Sequence, residues 1–181
     1  MPRAMNFRAP VAIIALILTL GVCLGAFSVY NRYLVEKPMQ EEMQQVQGVK
    51  KVELRREKKI NVITVEMAEL PDFSSAYQAV DNIARERFGP EGYTLQIKDR
   101  RDENLQKVYD SLQLYLYQGI ATNSFLWLDQ EVGKVAADKH LRYGLRVDDR
   151  NLYLQLHRDG HYLYAIIERG EKGKTENQGG R

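Results

Sequence analysis

The sequence predicts an α+β protein carried on one apolar helix, and three observations point there. Residues 11–30 (VAIIALILTLGVCLGAFSVY) hold no formal charge, and a helix of about twenty residues rising 1.5 Å each covers the ~30 Å hydrocarbon core of a bilayer. Two β-rich runs, 49–55 and 60–67, precede a helical pattern and a third alternating run, which mixes strands and helices without the regular βαβα order of a parallel fold. Asp159-Gly160 separates two alternating apolar runs, the strongest short-range hairpin signal.

The apolar helix comes first. A cleaved signal peptide is the alternative, with Arg3 and Arg8 as its positive region and Ala26-Phe27-Ser28 as a small-x-small site. Signal h-regions run about 7–15 residues, and this stretch is longer. Tyr30, Arg32 and Tyr33 then supply the belt expected where a helix leaves lipid, so an uncleaved signal anchor is the reading. Lipidation at Cys23 is disfavoured because branched Val22 stands where a small residue is wanted. Arg3 and Arg8 precede the span with no acidic residue, whereas Arg32 and Lys37 follow it among Glu36, Glu41 and Glu42. The N-terminal tail 1–10 is therefore expected in the cytoplasm and the C-terminal domain outside, in a cell-membrane protein of one span.

The 181 residues carry 26 basic and 24 acidic side chains, net +2, which gives no electrostatic reason for a nucleic-acid partner. The one cysteine lies mid-span, so neither an intramolecular disulfide nor a cysteine-built metal site is open to the chain. Beyond the span and a glycine-rich tail, about 130 residues remain, enough for one compact domain or two small ones.

Residues 38–47 (PMQEEMQQVQ) have good helix propensity and read as a short helix or stalk within 31–47. The runs 49–55 (VKKVELR) and 60–67 (INVITVEM) form a hairpin, Ile63, Val65 and Met67 facing Val52 and Leu54. Pro71 ends the strands, and Asp72 or Ser74 caps a helix in which Tyr77, Val80, Ile83, Ala84 and Phe88 recur at helical spacing. Gly89-Pro90 stops it, and Tyr93, Leu95 and Ile97 alternate as a half-buried strand. Residues 48–99 thus make a ββαβ subdomain, or αββαβ with the preceding helix. That order behind a single span, with VQGVKKVELRREKKINVITVEM entering the first strand at Gly48-Val49, resembles the ring-building-motif domains of membrane-ring proteins in sporulation stage III and in flagellar and type III secretion bases. The resemblance covers about residues 39–99 and implies self-assembly through surfaces, with no functional residue to carry over.

Asp102 caps a long amphipathic helix whose Leu105, Tyr109, Leu112, Leu116 and Ile120 trace one stripe. Asn123-Ser124 breaks it, and a second pattern, Phe125, Leu128, Val132, Val135 and Ala136, runs to about Asp138. The Asp159-Gly160 turn pairs Leu156 with Leu163, Leu154 with Ala165 and Leu152 with Ile167. A loop at 148–151 then sets Val147 beside Leu152, Leu145 beside Leu154 and Tyr143 beside Leu156. All these pairs are apolar and share one face, so a one-residue slip would spoil every one. The expectation for 102–169 is a helix packed on a three-stranded antiparallel meander, with Tyr153, Gln155, His157, Tyr162 and Tyr164 on the reverse face. The tail from 170 to 181 is polar and expected to lack fixed structure.

Chemical signatures are thin. His157 and His161 fall on opposite faces of the ribbon in this register and cannot converge on one metal. Gly173-Lys174-Thr175 lacks the earlier glycine of a phosphate loop, where Glu168 stands. The carboxylates Asp99, Asp102, Asp148 and Asp149 sit in turns or caps, where aspartate is usually structural. No cofactor, metal ligand or catalytic residue is assigned. Two surfaces remain. The tyrosine face offers contact area at low entropy cost, unless the first subdomain covers it. Lys50, Lys51, Arg55, Arg56, Lys58 and Lys59 are either a solvated edge that discourages aggregation or a patch for anionic lipid headgroups. The reading is a non-enzymatic membrane-anchored protein that binds a protein partner or itself. A tethered enzyme or small-ligand receptor, with a pocket between the long helix and the meander, is the alternative.

Overall fold

The computed structural model describes residues 9–30, 37–57 and 60–170, with side chains of the first helix described from 12 to 26. The expected N-terminal tail, Arg32, Tyr33, Lys58, Lys59 and the tail beyond Gly170 lie outside these residues. Five helices and two three-stranded sheets make the chain α+β.

Helix α1 (Ala9–Tyr30, 22 residues) carries apolar side chains on every side, and those described are exposed, Leu16 by 69% and Leu18 by 66%. Among the described residues no helix is long and apolar enough to cross a membrane. The described side chains of 12–26 alone rise about 22 Å, short of a ~30 Å core.

Helix α2 (Lys37–Gln44) is the short helix of the two forms expected here, and it packs on the body. Met39 and Met43 are fully buried, because their i,i+4 spacing puts both thioethers on one face, and that face lies in the core of the first sheet. Strands β1 (Val49–Glu57) and β2 (Ile60–Met67) form the hairpin in the expected register, Val52 opposite Val65 and Leu54 opposite Ile63. Helix α3 (Phe73–Phe88) crosses over to β3 (Tyr93–Lys98), which pairs parallel to β2. Asp72 caps α3 through Ser75 N–H, and Gly89 ends it at φ 74. At the entrance to β1, Gly48 holds φ 87 with its carbonyl accepting from Ala68 N–H, and the Leu70 side chain packs where a Cβ would stand.

Asp102 caps α4 (Glu103–Thr122) through Leu105 N–H. Asn123, left-handed at φ 53, ends it and starts the reversal into α5 (Phe125–Asp138). Asparagine tolerates that conformation better than other residues with a Cβ. Gly119 lets the helices approach, Leu128 lying 2.8 Å from the place of a Cβ. Strands β4 (Arg142–Val147), β5 (Asn151–Arg158) and β6 (His161–Glu168) make the meander, with all six expected apolar pairs in register. Asp159 and Gly160 both take positive φ, 52 and 73, as a two-residue turn of type I′ requires.

Sheet β4-β5-β6 is covered on both faces. Leu152, Leu154, Leu156, Leu163 and Ile167 meet α4 and α5 in one core, while Tyr153, Tyr162 and Tyr164 belong to the core of the first sheet. The two halves therefore share a layer. They are also joined at the edge, where Tyr162 N–H donates to Arg100 O (3.1 Å) and Tyr164 N–H to Asp99 Oδ2 (2.8 Å). Asp99 is in turn held by Arg101 at 2.7 Å, so chain leaving the first sheet closes the outer edge of β6 at Tyr162 and Tyr164.

Candidate functional site

The tyrosine face is not a free surface. Tyr153, Tyr162, Tyr164 and His157 are 3, 4, 2 and 6% exposed, and the first half covers them. Strand periodicity put these side chains on one face, and burial of the opposite leucines under α4 and α5 leaves that face to segment 67–73. Tyr162 OH donates to Met67 O (2.8 Å) and Tyr164 OH to Ala68 O (2.9 Å), while Leu70 N–H donates back to Tyr164 Oη (2.7 Å). Gln155 accepts from Phe73 N–H (3.0 Å) and donates to Pro71 O (2.9 Å). Phe73 stacks on Tyr164 at 4.2 Å between centroids, 3° from parallel. A chain segment without secondary structure must satisfy its backbone groups somewhere, and here phenols and an amide from the hairpin do so. The candidate interaction surface is thus corrected to an internal seam, built by the covering that the sequence left open as the alternative.

Two titratable clusters flank the seam. At one end His157 Nδ1 lies 3.1 Å from Glu69 Oε1, which also receives Arg142 at 2.8 Å. Burial pushes the His157 pKa down, against the opposing pull of Glu69. At the other end Asp148 Oδ2 accepts from Tyr153 OH (2.7 Å) and Gln78 Nε2 (2.9 Å), and Oδ1 from Arg150 and Asn151 N–H. Burial raises the Asp148 pKa, but the bonds from Asn151, Tyr153 and Gln78 outweigh it and bring the carboxyl below its usual range. Burial, then the Asp148 bond, pushes Tyr153 up to about 12. Nearby, buried Asp81 accepts from Tyr93 OH (2.5 Å) and pairs with Arg85 and Arg150. Nothing in the spacing of α3 marked Asp81, which sits beside apolar Val80 as any surface residue could.

The basic hairpin is split by its own alternation. Lys51 and Arg55 share the face turned away from the core, both reaching Glu53 at 2.8 and 3.3 Å. Arg56 pairs with Asn61 on the opposite face, and Lys50 falls at the irregularity between Val49 and Lys51. All four are exposed.

Between α4 and the meander, Leu105, Leu112, Leu116, Leu128, Leu152 and Leu154 fill the interface with 0 to 1% exposure. Two clefts lie instead on the other side of the sheet, along β4. One of about 390 Å³ is lined by Pro71, Ser74, Gly144, Arg146, Tyr153 and Gln155, among others. A second of about 250 Å³ adds Gln78 and Val147. The sequence gave no sign of them, because they form where the two halves meet. On the outer surface of α4 and α5, Leu114, Tyr117 and Leu126 are exposed by 83, 60 and 86%. Among the described residues no group of three His, Cys, Asp or Glu is placed to hold a metal ion.

No family model, no curated protein and no solved structure matches this chain. The likeness to ring-building-motif domains therefore rests on element order and the Gly48-Val49 entry to the first strand.

Proposed function

We propose that this chain is a single-pass membrane protein whose α+β body, on the far side of the membrane from its N-terminus, binds a protein partner or further copies of itself in the cell envelope and performs no chemistry. The observation that carries the reading is the sequence of 11–30, about twenty residues without a formal charge, which α1 contains. A helix apolar all round is matched by lipid or by the centre of a large core, and its described side chains meet no core here. The absence of chemistry is supported by where the titratable groups go. His157 with Glu69 and Asp148 with Gln78 are engaged in bonds that join the two halves, and Tyr153 is engaged by Asp148. The leucines packed between α4 and the meander support this reading over an enzyme or receptor with its pocket there.

The test is fractionation of the full chain in sealed membrane vesicles. It is expected to resist alkaline washing, to leave its C-terminal body accessible to protease from one side only, and to become soluble when residues 9–30 are deleted. Recovery of a soluble mature chain lacking those residues from cells making the intact protein would overturn the anchor. Strict monomers by light scattering in detergent, with no envelope protein cross-linked in intact cells, would overturn the binding role.

A further inference from the structure

We propose that the free edge of β4, with the cleft beside it, takes an extended acidic segment of a partner protein as a fourth strand of the second sheet. This deepens the protein-binding reading above and rests on it.

Four strand edges are available, and the chain treats them differently. The β6 edge is closed over its first half, where Arg100, Asp99 and Arg101 bond to Tyr162 and Tyr164, and its remaining half borders neither cleft. The β1 edge carries an irregularity at Val49/Lys51 and exposed Lys50, Lys51, Arg55 and Arg56, devices that discourage strand addition. β3 borders neither of the two clefts. β4 is six residues long, regular in its pairing, and bonded on one side only, to β5. Among the described residues its outer side receives no backbone hydrogen bond from another element. An edge of this kind binds extended chain through main-chain bonds, and neighbouring pockets supply the selectivity.

The cleft names the side chain it fits. Arg142, Gly144 and Arg146 lie on the seam face of β4, opposite His157, Gln155 and Tyr153. Gly144 presents no side chain there, and Gln155 lies across the place of its Cβ, 2.8 Å away, so the floor is low. Arg146 is the one charged residue lining either cleft, its side chain 65% exposed and only loosely paired with Asp72 at 3.4 Å. Arg142, about 13 Å away along the strand, is already engaged by Glu69 at 2.8 Å. Arg146 turns only its Nε to Asp72, and among the described residues its terminal nitrogens have no partner, so donors remain at the cleft. A carboxylate on an incoming strand answers them, while Ser74, Gln78 and Gln155 supply a polar wall. A second copy fits less well. Symmetric antiparallel pairing about Gly144 would set Arg142 against the Arg146 of its mate twice over, and like charges directly opposite destabilise.

The experiment uses the full chain in lipid nanodiscs and a labelled nine-residue peptide of alternating valine and threonine with a central glutamate, read by fluorescence anisotropy. Saturable binding is expected, about tenfold weaker when the central residue is lysine, the effect of one charge-assisted bond. The order of the two peptides should invert with Arg146→Glu. Because that substitution adds a like charge beside Asp72, a second probe needs no variant. N-methylation of one alternate set of peptide amides should abolish binding, and of the other set leave it intact. No saturable binding, equal binding of both N-methylated peptides, or indifference to the central charge would each overturn the proposal. So would cysteine cross-links joining position 144 of one copy to position 144 of another, which would assign the edge to self-pairing. None of these results bears on whether α1 lies in lipid.

Discussion

At Tyr164 one phenol accepts a hydrogen bond from Leu70 N–H, donates one to Ala68 O and lies flat on Phe73. Tyr164→Phe would keep the stack and leave the Leu70 N–H buried without a partner, a cost of about 1–3 kcal/mol. Urea unfolding of the variant should show that loss at an unchanged slope. His157 makes the complementary case in pH. Burial holds its folded pKa below the unfolded value, so the two states bind protons alike above about pH 6.5. As pH falls through that value the unfolded chain takes up a proton that the folded chain refuses. Stability then declines until the folded pKa is reached. His157→Gln should flatten the melting temperature between pH 7.5 and 5.5, and an unchanged pH dependence would show that other groups govern it. Neither partner was legible from the sequence. Alternation placed both residues on the right face, but the atoms they meet lie some ninety positions away, at Glu69 and Leu70.

Elements with a clean period were read correctly. The meander was fixed by one dipeptide, Asp159-Gly160, because a two-residue turn dictates every pair outward from it. The caps Asp72, Asp102 and Asn123 follow from local chemistry as well. Helix α2 is where the local pattern left two readings, a short helix or a stalk. Lys37, Pro38 and six residues of Glu, Gln and Met leave both open, since two methionines make too weak a stripe to assert burial. Met43→Ala should therefore cost about 2–5 kcal/mol, measurable by denaturant unfolding, whereas a stalk residue would cost almost nothing. The clefts along β4 were illegible for a different reason. They belong to no element, and their walls come from Pro71, Ser74 and Gly144 of separate segments.

At the scale of the whole molecule, the α+β class and the order of elements could be read from the sequence, but the unity of the two halves could not. Each half has its own pattern, and only the shared sheet joins them. Cooperative unfolding in one transition follows from that sharing, with circular dichroism and Trp127 fluorescence changing together. Chains carrying residues 37–101 or 102–170 alone should lack a cooperative transition, since each exposes one side of the seam. Two separable transitions in the intact chain would show the seam to be weaker than its bonds imply.

The seam also sets a timetable. The bonds from Tyr162 and Tyr164 to Met67, Ala68 and Leu70 span 94 to 96 positions of sequence, so the early half waits with Phe73 and its neighbouring backbone uncovered until the last hairpin has been made. In a chain threaded across a membrane as it is synthesised, that interval is when a holding chaperone on the far side would have something to hold, and a stop codon before Tyr162 would make the interval permanent.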